Sequence, residues 1–195
     1  MPHKAGFVSI LGKPNVGKST LMNALVGEKL SVITNKAQTT RHRIKGIVNC
    51  EDFQVVFSDT PGILDPHYRL HESMMGEVDE AISDADVIIY MVELGEKEPA
   101  ERVKSLLNNQ EQPVFILINK VDQGDQAAAQ AAVEMWKTMV PNAEVNPVSA
   151  LYNFNTEGLL EKIVELLPEH PAFYPKDELT DRNLRFFVSE IIREK

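Results

Sequence analysis

The segment from Gly12 to Ser19 constrains the fold of this chain more than any other part of it. The segment stands between an apolar run typical of a strand, Phe7 to Leu11, and a run typical of a helix, Thr20 to Val26. Its glycines allow the backbone to bend around a phosphate chain, and the amides of the turn and of the helix N-terminus can bind the anion. This context favours a phosphate-binding loop over an ordinary glycine turn.

Two side chains of the loop add the chemistry that a nucleotide phosphate requires. Lys18 brings a mobile positive charge, and Ser19 is placed to hold Mg²⁺. In this part of the chain, the residues expected to bind nucleotide are Lys13, Pro14, Asn15, Val16, Gly17, Lys18, Ser19 and Thr20.

Composition predicts a folded protein of a reducing compartment. The chain has 195 residues, 43% of them hydrophobic, which suffices for one larger domain or for one domain with an appendage. The single cysteine, Cys50, lies in an alternating run, where we expect a small buried hydrophobe. No apolar run approaches the roughly 20 residues that span a bilayer. We therefore expect a soluble cytoplasmic protein.

The charge balance bears on nucleic-acid binding. A formal net charge of −9 predicts that this chain alone binds RNA or DNA poorly, because such surfaces are usually basic. One basic cluster, from Arg41 to Lys45, is either a local phosphate contact or a solvated loop and strand start, and the sequence favours neither.

Strand-like and helix-like runs alternate along the chain. The strand candidates are Phe7 to Leu11, Ile44 to Val48, Val55 to Ser58, Val87 to Val92, Val114 to Ile118 and Val145 to Val148. The first helix candidate follows Lys18. The other four span Glu72 to Ser83, Ala100 to Leu107, Gln126 to Met139 and Thr156 to Leu167. Several strands are apolar on both faces. The pattern predicts an α/β fold: a doubly wound, mostly parallel six-stranded sheet with helices on both faces and one antiparallel pair formed by the second and third strands.

A sheet of this kind binds ligands beyond the carboxyl ends of its strands. Gly12 follows the first strand, Asp59 the third, Asn119 the fifth and Ser149 the sixth. The motifs therefore converge on one edge of the sheet.

The run from Asp59 to Gly62 predicts the second half of a Mg²⁺-nucleotide site. Asp59 ends a strand on the same edge as Lys18 and can hold Mg²⁺ through water. The Gly62 amide can bind the terminal phosphate, and Gly62 can act as a hinge for residues 63–75. By itself, the tetrapeptide could also be a simple turn.

The run from Asn119 to Asp122 predicts the choice of base. A carboxylate only accepts hydrogen bonds, so Asp122 suits the N1–H and amino group of guanine. Lys120 can cover the base and Asn119 can tie this loop to the phosphate loop, although Asn and Asp are also common in plain loops. The last predicted contacts come from Ser149, Ala150 and Leu151, with the Ala150 amide facing the guanine oxygen.

The C-terminal part changes character after Leu167. We assign residues 1–168 to a P-loop domain, the proline-containing residues 169–180 to a linker, and residues 181–195 to the first helix of a truncated further domain. Thr180 or Asp181 can cap this amphipathic helix. The alternative is that the helix folds back onto the sheet.

Several runs are shared with one family. They are Pro14 and Asn15, Lys36 to Arg43, Asp59 to Gly62, Leu179 to Arg182 and Glu190 to Lys195. Together with the guanine-site motifs, they resemble the Era family of bacterial GTPases in the Ras-like GTPase superfamily. The resemblance covers the whole chain.

The resemblance implies a GTP-hydrolysing switch. It implies that Lys18, Thr40 and Gly62 act in catalysis and that Ser19, Thr40 and Asp59 organise Mg²⁺, with Thr39 as a weaker choice than Thr40. It also implies that a C-terminal KH-type domain binds 16S rRNA during small-subunit assembly. Peripheral association with the inner membrane is a further implication, and we expect the isolated domain to be monomeric.

Three further expectations concern turnover and motion. Ile63 stands where Ras has a water-orienting glutamine, so hydrolysis should be slow. Asn15 either coordinates K⁺ beside the phosphates or stabilises the turn. Residues 30–42 should be mobile or reshaped without GTP.

The alternative functions are a guanine-nucleotide-binding scaffold, a P-loop kinase or ATPase, and a related GTPase of tRNA modification.

Overall fold

A computed structural model of the chain describes residues 2–31, 40, 42–62, 69–96 and 99–194. The strands are β1 (Lys4–Gly12), β2 (Ile44–Asn49), β3 (Phe53–Asp59), β4 (Val87–Glu93), β5 (Val114–Asn119) and β6 (Glu144–Pro147). The helices are α1 (Lys18–Val26), α2 (Arg69–Ser83), α3 (Glu101–Asn108), α4 (Gln126–Met139), α5 (Thr156–Leu166) and α6 (Leu184–Glu194). We predicted that residues 30–42 are mobile or reshaped without GTP; of these, residues 32–39 and 41 lie outside the described part, as does Ile63.

The six strands form one sheet in the order β2-β3-β1-β4-β5-β6. All neighbouring strands are parallel except β2 and β3, which are antiparallel as predicted. In the register, Ile10 pairs with Asp59, Gly12 with Met91 and Glu93 with Asn119. The doubly wound fold is confirmed, and the carboxyl ends of β1, β3, β4 and β5 lie at one edge.

Helices cover both faces of the sheet because its central strands are apolar on both sides. One apolar cluster joins the sheet to α1 and α5, and a second joins it to α2, α3 and α4. Trp136 of α4 is 1% exposed, and its ring centroid lies 6.0 Å from that of Tyr90, so it belongs to the second apolar cluster.

Two expectations about the β2–β3 hairpin are wrong. Cys50 is exposed, because the alternating run ends at Asn49 and Cys50 enters the turn before β3. Arg43 is buried: its Nη1 lies 2.6 Å from Asp84 Oδ2, and its Nε donates to Ser58 Oγ at 3.0 Å. This guanidinium is therefore part of the fold, neither a phosphate contact nor a solvated side chain.

The segment predicted as a linker lies along the outer edge of the sheet. The Ile47 amide donates to the Leu179 carbonyl at 2.9 Å, and Gly46 forms a bridge with Thr180. The fully buried Gln54 of β3 accepts bonds from the amides of Phe173 and Tyr174 at 2.7 and 3.0 Å. We call residues 169–182 the strap, since they hold the C-terminal helix beside β2.

Helix α6 packs partly on the domain and leaves part of its apolar face exposed. Phe186 and Phe187 contact the core cluster that includes α1. Ile191 and Ile192 are 51% and 69% exposed. The cap predicted at Thr180 or Asp181 is wrong: Asn183 Oδ1 accepts a bond from the Phe186 amide at 3.0 Å. Within the described ranges, every helix is too short or too polar to cross a membrane.

Candidate functional site

The predicted phosphate loop connects β1 to α1 at the carboxyl edge of the sheet. Gly17 immediately precedes the helix with φ of 105°. A Cβ there would lie 2.3 Å from Asn119 Nδ2, which donates to the Val16 carbonyl at 2.8 Å. Only glycine therefore allows the loop to take this left-handed conformation and to touch the loop after β5.

Lys18 is folded over the carbonyl oxygens of its own loop. Its side chain is almost fully buried, and Nζ donates to the Gly12 and Lys13 carbonyls at 3.1 and 2.8 Å. Burial lowers the pKa of Lys18 to about 8, against the opposing influence of the Asp59 charge. The ammonium is thus held in the loop that the sequence assigned to phosphate.

Three hydroxyl groups converge on one oxygen of Asp59. Ser19, Ser31 and Thr40 donate to Oδ2 at 2.6, 2.8 and 3.4 Å. Burial raises the pKa of Asp59, while the Ser19 bond, the Lys18 charge and the other two hydroxyl bonds lower it. Oδ1 is buried and has no hydrogen-bond partner in the part of the chain that the structure describes.

These groups suit Mg²⁺. This ion prefers oxygen ligands, keeps several waters and is usually bound by one or two carboxylates together with substrate phosphates. The Ser19 and Thr40 hydroxyls lie 3.3 Å apart beside the unpartnered Asp59 Oδ1. The structure thus brings together all three predicted metal-site residues, whereas Thr39 lies outside the described ranges.

The loop after β3 lies directly against the phosphate loop. Thr60 Oγ1 donates to the Ile10 carbonyl at 2.7 Å, which fixes the exit of the strand. A Cβ on Gly62 would come within 2.6 Å of three atoms of Pro14. The Gly62 backbone can therefore approach the phosphate loop closely, as its predicted role requires.

The predicted base-binding residues also meet at this edge. Asn119 Oδ1 accepts a bond from the Ala150 amide at 2.9 Å, and Asp122 Oδ1 accepts one from Ser149 Oγ at 2.5 Å. Lys120 has a left-handed backbone, and its Nζ lies 2.9 Å from Glu93 Oε2. Contact between the Ala150 amide and a guanine oxygen therefore requires the amide to share or leave its bond to Asn119.

The remaining predicted residues differ in their contacts, their exposure and their backbone conformation. Lys13 pairs with Glu96 of the loop after β4, with Nζ 2.6 Å from Oε1. Val16 is 3% exposed, whereas Leu151 is 68% exposed. Asn15 has a left-handed backbone with φ of 63°. Thr20 lies in the first turn of α1 and is half-buried.

Comparisons with known proteins identify the family. A profile described as 50S ribosome-binding GTPase matches residues 7–120. The GTPase Era of Clostridium perfringens is 43% identical over 98% of this chain, and that of Alkaliphilus metalliredigens is 40% identical over 100% of it. The chain belongs to the Era family of GTPases. It spans 66% and 67% of the length of these two relatives.

A solved Era structure supports the same assignment at the level of the fold. An Era in complex with MgGDPNP and nucleotides 1506–1542 of 16S ribosomal RNA matches with a TM-score of 0.93 at 38% identity. The match covers 98% of this chain and 66% of that one. The described geometry of the site therefore lies on an Era-type GTPase fold.

Sequence reasoning missed two residues of the site. None of the motifs that indicate an Era-family GTPase includes Ser31, which bonds Asp59, or Asn23, which bonds Ser31. The sequence does carry one signal for a role of Asn23, since this residue interrupts the apolar run from Leu21 to Val26. A buried amide in such a run needs hydrogen-bond partners.

Proposed function

We propose that this protein binds guanine nucleotide with Mg²⁺ and slowly hydrolyses GTP to GDP and phosphate as a molecular switch. The observation that carries the proposal is the cluster of Ser19, Thr40 and Asp59 beside the buried Lys18. Thr40 belongs to the segment that would close on the nucleotide in the GTP form. Loss of the γ-phosphate would release that segment and the residues after Gly62.

The chain's own groups account for most of the proposed chemistry. Mg²⁺, when bound, neutralises charge on the phosphate oxygens. Lys18 and the amides of residues 12–19 stabilise the negative charge that develops on the transferred phosphoryl group. The Ser19 and Thr40 hydroxyls and the Asp59 carboxylate would hold the ion, and the Gly62 amide would contact the terminal phosphate. Water is the nucleophile.

Selection of guanine is assigned to Asp122. Its carboxylate accepts hydrogen bonds from the N1–H and amino group of guanine, a donor pair that adenine lacks. Ser149 fixes the carboxylate, and Lys120 covers the base. Calorimetric titration of the protein with Mg²⁺ and GDP, GTP or ATP tests this assignment: guanine nucleotides should bind, and equal affinity for ATP would exclude it.

Slow turnover follows from the aliphatic side chain of Ile63. This side chain can neither donate to nor accept from the attacking water, so a partner or a monovalent cation near Asn15 would have to supply that help. Single-turnover hydrolysis of GTP in potassium and in sodium buffers tests both points. Faster turnover in potassium supports the cation site, and no turnover in either buffer favours a nucleotide-binding scaffold.

The cellular role proposed here is assembly of the small ribosomal subunit. The structural relative with TM-score 0.93 is an Era bound to 16S ribosomal RNA. The net charge of −9 makes this chain alone a poor RNA-binding surface. We therefore assign RNA contact to a KH-type domain that residues 181–195 begin, joined by the linker 169–180.

Depletion of the protein in cells tests that role. Accumulation of 16S rRNA precursors and loss of 30S subunits are expected. Normal ribosomes with under-modified tRNA would favour the alternative, a GTPase of tRNA modification.

Cell fractionation checks the proposed cytoplasmic location, and recovery with the inner membrane would instead place the protein at the membrane surface.

A further inference from the structure

Asp59 receives one hydroxyl bond that the proposed metal chemistry does not explain. Of the three donors to its Oδ2, Ser19 and Thr40 are assigned to Mg²⁺. The third is Ser31, which donates at 2.8 Å and is 5% exposed. Ser31 is therefore the one donor of these three without a proposed contact to the ion.

Ser31 is held in place by a clamp from helix α1. Gly27 ends the helix with φ of 80°, so the chain reverses and runs back beside Asn23. Asn23 Oδ1 accepts bonds from the Leu30 and Ser31 amides at 2.9 Å each, and its Nδ2 donates to the Ser31 carbonyl at 2.9 Å. Three bonds from one side chain thus fix the backbone on both sides of the Ser31 hydroxyl.

The clamp connects two parts of the same site. Asn23 belongs to the helix whose first turn carries Lys18 and Ser19, and Asp59 ends β3. A carboxylate held by one donor can rotate about its terminal bond. A donor of fixed position on Oδ2 restricts that rotation and leaves Oδ1 as the oxygen able to accept from a metal-bound water.

We infer that Ser31, fixed by Asn23, is a positioning residue for the Mg²⁺ site. This inference rests on the proposed function. Ser31 does not touch the ion: it holds the Asp59 carboxylate in the orientation that the ion requires. The predicted signature is a loss confined to Mg²⁺ affinity, because the described bonds of Ser31 go to Asp59 and Asn23 and to none of the residues proposed to bind phosphate or base.

The test measures binding of a fluorescent GDP analogue with saturating Mg²⁺, with EDTA and over a Mg²⁺ titration. The wild-type protein is measured first, since a failure to bind GDP would overturn the proposed function itself. In Ser31→Ala, we expect the Mg²⁺ concentration at half-saturation to rise about tenfold, the effect of one hydrogen bond to a charged group. The affinity of Ser31→Ala for the GDP analogue in EDTA should differ from that of the wild-type protein by less than about twofold.

Ser9→Ala is the matched control. Ser9 is also a buried serine, and its hydroxyl donates to the Ala81 carbonyl of α2 at 2.6 Å and not to Asp59. The control should lower stability while leaving the Mg²⁺ titration unchanged. If Ser31→Ala shifts affinity equally in Mg²⁺ and EDTA, or leaves the titration at the wild-type midpoint, the inference is wrong.

Asn23→Ala tests the clamp and provides a second measurement if Ser31→Ala fails to fold. This variant keeps the Ser31 hydroxyl but frees its backbone. We expect a weaker shift in the same direction, about threefold to tenfold, and no additional shift when it is combined with Ser31→Ala. Full additivity of the two shifts, or a wild-type midpoint in Asn23→Ala, would contradict a role through Ser31.

Discussion

At the scale of single residues, Lys18 is the group whose charge is most sensitive to its surroundings. Its buried ammonium bonds only carbonyl oxygens of its own loop among the described contacts, and its pKa is lowered to about 8. Phosphate groups beside it would favour the protonated form and raise that pKa. Nucleotide binding should therefore take up a proton when the pH is above 8.

The resulting prediction concerns the pH dependence of GDP affinity. Below pH 7, Lys18 is protonated in both the free and the bound protein, so affinity should not change through this group. As the pH rises above 8, affinity should fall about tenfold per pH unit until the bound-state pKa is reached. Calorimetry in two buffers of different ionisation enthalpy measures the proton uptake, and a constant affinity from pH 7 to 9.5 would contradict it.

Gly62 gives a second prediction at this scale. In Gly62→Ala, the new Cβ would lie 2.6 Å from Pro14, so one of the two loops must move. We expect a loss of about 1–3 kcal/mol in the free energy of unfolding and a larger loss of affinity for a GTP analogue than for GDP. Gly158→Ala is the control, since a Cβ at that helical position meets nothing within 4 Å and should be neutral or stabilising.

At the scale of elements, one buried side chain anchors the strap where it crosses β3. Gln54 Nε2 donates to the Tyr174 carbonyl at 2.8 Å and to Asn49 Oδ1 at 2.7 Å, while its Oε1 accepts the two strap amides described above. Gln54 therefore satisfies the backbone of the strap where it crosses β3. Its position at the start of β3 separates it from Asp59 by the length of the strand.

Truncation of Gln54 should loosen the strap where it crosses β3 without disturbing the nucleotide site. In Gln54→Ala, the strap groups lose their buried partners, and we expect the free energy of unfolding to fall by about 2–4 kcal/mol. GDP affinity should stay within about twofold of wild type. Urea unfolding measures the expected fall in the free energy of unfolding. Gln130→Ala is the control: its amide bonds Glu134 on the exposed surface of α4, so a comparable loss there would discredit the proposed role of Gln54.

The elements also show what could be predicted from sequence. Runs such as Val87 to Val92 are apolar on both faces, so they predict buried parallel strands whatever their partners. The strap and the burial of Arg43 depend on contacts between residues far apart in the chain, such as the bond from Arg182 Nη2 to the Arg43 carbonyl at 2.7 Å. No local pattern contains that information.

The same distinction applies to the site. Most of its motif residues were predictable because they stand in or directly after the loops at the carboxyl ends of β1, β3, β5 and β6, which converge at one edge. Thr40 was assigned through the family resemblance. Ser31 was missed because its role depends on a chain reversal at Gly27 that returns it to Asn23.

At the scale of the whole molecule, the site joins the four loops that follow β1, β3, β5 and β6. The side chain of Asn119 links three of these loops, because it bonds both Val16 and Ala150. A nucleotide that contacts all four loops should stabilise the folded state by mass action. With Mg²⁺ and GDP at 100 times the dissociation constant, we expect about 2.7 kcal/mol, or an increase in Tm of about 5–11 °C. Mg²⁺ with ADP should give a much smaller shift, and equal shifts in a thermal-unfolding experiment would argue against guanine selection.

The position of the strap has a consequence for how copies of this protein meet. An outermost strand usually offers unpaired amides and carbonyls that can extend a sheet into a neighbouring molecule. Along β2, two of those amides are already engaged: Ile47 donates to the Leu179 carbonyl at 2.9 Å, and Lys45 donates to Asp181 Oδ1 at 3.3 Å. The strap therefore shields the β2 edge of the sheet against edge-to-edge aggregation, and release of the strap would expose these backbone groups of β2.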